Sequence, residues 1–355
     1  MAHVVPVQAD DRQELSGFLC AFPEEPREQD FWSDRLRSWW EGNPAFSEEV
    51  PRGWLLRDEG RIVGFLGNIP SRFQVGAQER IVWNATTWRV LPDYRAQSMA
   101  LVFRQMAECR NALLFDTTPT ENVVQILRAM RFEALRCGTG WASALVVNWR
   151  RVAEAKWPSI PGIGATAGAA GRWLGRLQAG RLRRKTGRGG AVVREASRVD
   201  GSFDDLWRKT RHHHPHTNVR TSEAIRWYCF VNRSCEKILL ASYEAGRLLG
   251  YGICRASEEG RLRRIEFLDL WVDPGEAGVV GSLIEAAAEH ARGRSMDLVV
   301  LPHYTEWAAR ELSGAGLARL SWRFDRYYVK GPPDLLAPLR ERRAYLVGAQ
   351  GDVGL

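Results

Sequence analysis

Two stretches of this 355-residue chain carry the same succession of local signals, and that repetition limits the fold more tightly than any single motif. In the first, the apolar runs Gly53-Trp54-Leu55-Leu56-Arg57 and Arg61-Ile62-Val63-Gly64-Phe65-Leu66-Gly67-Asn68 flank Asp58-Glu59-Gly60, the pattern of a β-hairpin. A long β-branched and aromatic run, Arg80 to Val90, follows and is stopped by Pro92. Met99, Val102, Phe103 and Met106 then recur at helical spacing, and Ala112-Leu113-Leu114-Phe115-Asp116 reads as a short buried strand. A helix from Thr120 to about Met130 and a last strand, Arg131 to Leu135, complete the set. In the second, Ile238 to Tyr243 and Arg247 to Ile253 flank Glu244-Ala245-Gly246. The strand Arg264 to Val272, a helix from about Val279 to Ala291, the strand Asp297 to Leu301 and a helix near Thr305 to Leu312 come next.

A layout given twice implies two similar domains, each an α/β unit with a mixed sheet. The length suffices for two buried cores. The expected division is 1–150 for the first unit, 151–195 for a Gly/Ala- and Arg-rich linker, 196–335 for the second unit and 336–355 for a C-terminal tail.

The segment Val90-Leu91-Pro92-Asp93-Tyr94-Arg95-Ala96-Gln97-Ser98-Met99-Ala100 joins a strand to a helix. Leading helix amides lack intrahelical acceptors and sit at the positive end of the macrodipole, so such a turn attracts phosphate oxygens. Arg95 adds a fixed cation. The corresponding turn in the second copy, Asp273-Pro274-Gly275-Glu276-Ala277-Gly278, has glycines but no arginine, and Glu276 would repel a pyrophosphate. The second copy is therefore expected to keep the fold without the ligand.

With Arg95, Ser98 and Ala100 in place, the first turn resembles the coenzyme A loop of the GCN5-related N-acetyltransferase superfamily, Arg/Gln-x-x-Gly-x-Gly/Ala. Ser98 stands where that family has a glycine. The resemblance extends over the hairpin, long strand, loop helix, buried strand and second helix, and implies a tandem double-domain acyl-CoA N-acyltransferase. It implies acetyl-CoA or another acyl-CoA as co-substrate, held by Val90, Leu91, Arg95, Ala96, Gln97, Ser98, Met99 and Ala100, with Asn122 on the following helix. The family transfers the acyl group directly to an amine within a ternary complex, here implying a small-molecule acceptor such as an amino sugar.

Such chemistry needs a base for the amine and stabilisation of the carbonyl oxygen. Asp116, ending the buried strand, and Glu121, in the next loop, are the candidate carboxylates on that layout. Arg211-His212-His213-His214-Pro215-His216 falls between two helices of the second copy, where the family's acceptor cleft lies, making His214 and His216 further candidates. Four imidazoles so close in a Pro-containing loop do not converge on one tetrahedral centre, so no metal site is assigned. The helix tyrosine with which many relatives protonate the leaving thiolate is replaced here by the Ile126-Leu127 region. Arg220 and Trp227 resemble a recurrent pair in double-domain relatives, with a structural role implied.

Between the copies, Pro158, Pro161 and the small-residue run Ala165 to Gly171 suit a mobile linker, followed by Arg172, Arg176, Arg181, Arg183, Arg184, Lys185 and Arg188. Trp173, Leu174, Leu177 and Leu182 interleave with these cations at helical spacing, so 172–188 is also compatible with a short basic amphipathic helix sitting on an anionic membrane or an acidic partner. The formal charge of +8 owes much to this stretch, which argues against nucleic acid as a partner. The six cysteines lack metal-ligand spacing and no secretory or membrane-spanning run is present, so a cytoplasmic protein with reduced thiols is expected. Two other readings fit the same residues: a non-catalytic protein keeping this fold, and a long-chain acyltransferase working at a membrane surface.

Overall fold

The computed structural model describes residues 2–185, 191–231, 233–276, 278–322 and 327–355; Arg188 and Ala277 lie outside them. The first half runs β1 (His3–Pro6), α1 (Arg12–Leu19), α2 (Gln29–Trp39), β2 (Gly53–Asp58), β3 (Arg61–Val75), β4 (Gln78–Val90), α3 (Met99–Glu108), β5 (Leu114–Asp116), α4 (Glu121–Ala129), β6 (Glu133–Ala134) and β7 (Trp141–Val146). Helices α5 (Trp149–Lys156) and α6 (Ile163–Lys185) connect it to β8 (Val192–Glu195), α7 (Gly201–Thr210), β9 (His216–Asn218) and α8 (Ser222–Arg226). Then come β10 (Lys237–Glu244), β11 (Arg247–Glu259), β12 (Leu262–Val272), α9 (Val279–Gly293), β13 (Leu298–Pro302), α10 (Glu306–Glu311), β14 (Ala318–Ser321), β15 (Tyr328–Lys330) and α11 (Pro333–Glu341).

The repeat seen in the sequence is a repeat in space. Both hairpins close through two residues in the left-handed region, Glu59 (φ 48°) and Gly60 (81°) in one, Ala245 (48°) and Gly246 (82°) in the other. This backbone geometry matches the right-handed twist of the flanking strands. In each half a long antiparallel pair is followed by a helix and a short parallel pairing. β4 meets β5 at Trp83↔Leu114 and Asn84↔Phe115, and β12 meets β13 from Arg264↔Leu298 to Glu266↔Val300.

The halves also exchange strands. One sheet has the order β1-β2-β3-β4-β5-β15-β6, with β9 paired to β3, and the other β14-β7-β13-β12-β11-β10-β8. Thus β15, late in the chain, fills the gap between β5 and β6, through pairs such as Val329↔Phe115 and Val329↔Glu133. Reciprocally, β7 sits between β13 and β14. The last strand read into the first unit at Arg131 to Leu135 is only two residues long, and its neighbour comes from the other half. One apolar core cluster accordingly includes Phe65 and Phe115 together with Phe203, Tyr251 and Trp271.

The stretch taken for a mobile linker folds into a helical hairpin. Asn148 caps α5, its side chain accepting the Arg151 amide at 3.2 Å. The glycines that suggested flexibility face α5. A Cβ on Gly171 would lie 2.4 Å from Trp149 Cβ, so the close approach of the two helices needs bare backbone there, while Gly164 faces the movable end of the Glu154 side chain. Leu182 is buried, and Gln178 donates to the Gly316 carbonyl at 3.0 Å.

Candidate functional site

β4 and β5 separate after two pairs. β4 stays bound to β3, but at Leu66 it places two residues, Thr87 and Trp88, opposite one. This bulge turns Thr87 to φ 51°, a conformation unfavourable for a β-branched residue and worth ~1–3 kcal/mol of local strain. The divergence opens a cavity of about 220 Å³ whose walls include Thr86 to Arg89, Val102, Gln105, Asp116, Val123, Leu127 and Phe132. Its α3 and α4 side is apolar apart from Gln105, and it is polar where the strands part.

Asp116 ends β5 and turns into this cavity. Burial pushes its carboxyl up to about 7; the neighbouring charge of Asp352 acts in the same direction, and the Thr118 amide acts against both. Asp352 comes from the segment after α11 and spans the parting strands. It accepts from the Thr86 hydroxyl at 2.7 Å and from the Thr118 hydroxyl at 2.9 Å. That segment is anchored upstream, where Gln350 Nε2 donates to Asn84 Oδ1 at 2.5 Å and to Ser71 at 3.1 Å. Gly351 lies so close to Thr117 that a Cβ would fall 2.1 Å from Thr117 Oγ1. Sequence reasoning missed Asp352, which sits in what read as a featureless tail; no local pattern marks it, because its partners are more than 230 residues away.

The loop between β4 and α3 is a 3₁₀ turn, Pro92–Gln97, running into α3. Leu91 N–H bonds the Val63 carbonyl at 2.9 Å and the Tyr94 hydroxyl bonds Asp58 at 2.8 Å, so the turn is fixed to the hairpin. Ser98 adopts ordinary helical geometry (φ −58°, ψ −31°), so this position needs no glycine. Ser98 N–H turns back to the Arg95 carbonyl and Leu101 N–H to the Ser98 carbonyl. Met99 and Ala100, between them, head α3, where helix amides have no acceptor of their own. Arg95 is exposed and has no ion pair among the described residues.

The same region of the second half is filled. The Tyr304 hydroxyl bonds the Phe267 carbonyl at 2.7 Å, Tyr345 bonds the Leu270 carbonyl, and Ala349 N–H bonds the Leu268 carbonyl at 3.1 Å. Tyr304 and Tyr345 are both buried, with ring centroids 6.2 Å apart. Its helix-leading loop is committed as well: Asp273 pairs with Lys209 at 2.5 Å and Glu276 with Arg247 at 2.7 Å. One segment, 344–352, therefore closes one splay with Tyr345 and lines the other with Asp352.

Several residues expected at the site lie elsewhere. Glu121 and Asn122 are exposed at the start of α4 and do not line the cavity, although Thr120 and Val123 on either side of them do. His214 packs edge-on to Trp271 (5.3 Å) and Tyr345 (4.7 Å), and desolvation, aided by Arg220, lowers its pKa to about 3, so it is a neutral, partly buried side chain. His216 is buried on β9 opposite Val75. Neither histidine lines the cavity that holds Asp116. Arg220 is buried, makes a two-nitrogen contact with Asp269 at 3.0 to 3.2 Å, and lies 4.3 Å from the Trp271 ring centroid. Trp227 donates to the Ser38 carbonyl at 2.7 Å, tying α8 to α2. Trp227 thus links the two halves, whereas these contacts of Arg220 lie within the second.

An open groove of about 630 Å³ lies between α2 and 227–231, with Phe31, Arg35, Glu41, Phe230 and Arg233 on its walls. Arg35 lines this groove and the Asp116 cavity alike, and bonds Glu25 at 2.7 Å.

The chain has the fold of double-domain GNAT-like acyltransferases. A GCN5-related N-acetyltransferase from Anabaena variabilis superimposes with a TM-score of 0.59 at 12% identity, over 93% of this chain and 72% of that one. Saccharomyces cerevisiae N-myristoyltransferase with bound myristoyl-CoA gives 0.54 at 12% identity, over 92% and 78%. Eis1 from Mycobacterium abscessus gives 0.52 at 14% identity, over 93% and 73%. No protein-family model and no curated protein matches the sequence.

Proposed function

We propose that this chain is an acyl-CoA-dependent N-acyltransferase whose first half (1–150) holds the thioester and whose second half is a degenerate copy shaping the acceptor side. The observation that carries this reading is the unequal treatment of the two splays: that between β4 and β5 is open and lined by Asp116, whereas that between β12 and β13 is packed with Tyr304 and Tyr345. In this reading Arg95 and the amides of Met99 and Ala100 take the diphosphate, with Val90, Leu91, Ala96, Gln97 and Ser98 forming the turn beneath it. The pantetheine arm follows the splay past the Thr87 bulge toward Asp116.

Asp116, with a pKa near neutrality, takes the proton from the incoming ammonium. The freed amine nitrogen attacks the thioester carbonyl carbon and a C–N bond forms; as the C–S bond breaks, the nitrogen's second surplus proton passes through water to the departing coenzyme A thiolate, leaving a neutral amide and free thiol. The modest pKa of a thiol makes a dedicated acid unnecessary. The acceptor, a small-molecule amine such as an amino sugar, reaches Asp116 along the groove between α2 and 227–231, a path supported by Arg35 lining both spaces. Acetyl is the proposed acyl group. The long-chain donor of the yeast neighbour makes longer acyl-CoAs the first comparison.

Release of free thiol from a series of acyl-CoAs, measured against a panel of amino sugars and other small amines, tests this function. Turnover abolished by Asp116→Asn supports it. Thermal stabilisation by coenzyme A without turnover on any amine would leave a binding protein instead.

A further inference from the structure

Helix α6 has two dissimilar faces. The inner one, Gly164, Gly171, Gln178 and Leu182, repeats at intervals of seven, seven and four residues and is buried against the rest of the molecule. At 100° per residue the opposite side of the helix carries Trp173, Leu177 and Arg184, with Arg176 at its margin. Docking of the inner face leaves Trp173 63% exposed and Leu177 39% exposed. The turn from α5 adds Trp157 and Ile160, 52% and 50% exposed. Isolated exposed apolar residues are ordinary, but Trp173 and Leu177 lie one helical turn apart on the same side of α6, beside Arg176, and are not scattered singly.

The charge on this hairpin is one-sided. No Asp or Glu occurs between Glu154 and Glu195, while Arg176 and Arg184 are exposed and have no ion pair among the described residues. Arg183, by contrast, reaches inward to Glu285 at 2.8 Å. Among the described residues no helix is long and apolar enough to cross a membrane. A row of 23 helical residues is about 35 Å long, which lets apolar and cationic side chains meet one plane together.

We propose that the outer face of α6 docks the protein on an anionic phospholipid bilayer, Trp173 and Leu177 entering the headgroup boundary while Arg176 and Arg184 meet lipid phosphates. Tryptophan favours that boundary because its ring is apolar and its N–H polar, and interfacial binding rests on apolar insertion combined with attraction to anionic lipid. Nucleic acid could meet the arginines and stack on the indole but offers Leu177 no apolar phase, whereas a bilayer boundary takes all four side chains at once. The proposal is independent of acyl transfer, since none of these residues lines the Asp116 cavity.

Flotation of the full chain with vesicles of phosphatidylglycerol and phosphatidylcholine, against phosphatidylcholine alone, at about 0.1 M salt, tests this. The protein is expected to float with the anionic vesicles only. Trp173→Ser with Leu177→Ser should lower the bound fraction about ten-fold or more with Tm and coenzyme A binding unchanged, because both side chains are already exposed. Arg176→Ala with Arg184→Ala should lower it several-fold and weaken its dependence on salt. Failure to float with anionic vesicles, equal flotation with both vesicle types, or full binding by the Trp173/Leu177 variant would overturn the proposal. Tight retention on RNA without flotation would do so as well, and would mark the face as a polyanion site.

Discussion

Asp352 accepts the Thr86 hydroxyl at 2.7 Å, so a residue near one end of the chain lines the cavity opened by a strand near the other. Its second oxygen takes Thr118, beyond β5, at 2.9 Å, placing its charge close enough to Asp116 to raise that carboxyl. The same segment carries Tyr345 into the other half. The difference between the two halves therefore rests on where this segment passes as well as on their own loops, Tyr304 and Glu276 among them.

With Asp116 titrating near 7, kcat/KM for amine acylation should rise with pH through about 7 and level off above it. Asp116→Asn should lower turnover by about 10²-fold or more, within the range ordinarily contributed by a positioned base. A pH–rate profile of both proteins checks this.

The folded-state pKa of Asp116 lies above its unfolded value, so the folded state prefers the protonated form. Stability from this group is fully present below about pH 4 and is lost as pH rises toward 7. Asp116→Asn, which keeps the neutral shape, should therefore raise Tm at pH 8 while leaving it little changed at pH 4. Calorimetry at the two pH values measures the difference.

Asp352→Asn removes a negative charge that raises Asp116, so the acid limb of the rate profile should move to lower pH. A fall in rate at all pH values with no shift of the limb would mean that Asp352 acts only by holding its segment in place.

Arg220→Ala would leave Asp269 buried without its cation, and breaking such a pair typically costs ~3–5 kcal/mol. Urea unfolding should show that loss. Loss of an exposed pair such as Arg208–Asp205 should cost well under ~1 kcal/mol.

The hairpins, the helices flanking them and the strand ending in Asp116 were legible because each is set by neighbours in sequence: a two-residue turn, a period of two, a period of 3.6. Unequal loops also marked the two copies as different, through Arg95 and Glu276. The exchange of β7 and β15 was not legible, because pairing between Val329 and Phe115 is decided by which sheet gap remains unfilled, and no local pattern encodes that. His214 and His216 misled for a related reason: an imidazole beside exposed His212 and His213 reads as surface until Trp271 and Tyr345 close over it. In α6, small residues meant close helix contact rather than mobility.

Calorimetric titration of the full chain with coenzyme A measures the central claim most directly. One molecule should bind per chain, affinity should fall about ten-fold or more in Arg95→Ala through loss of a charge-assisted contact, and Glu276→Ala should bind as the unchanged protein does. No heat at millimolar coenzyme A, two molecules per chain, or affinity indifferent to Arg95 would contradict the assignment of the carrier to the first half.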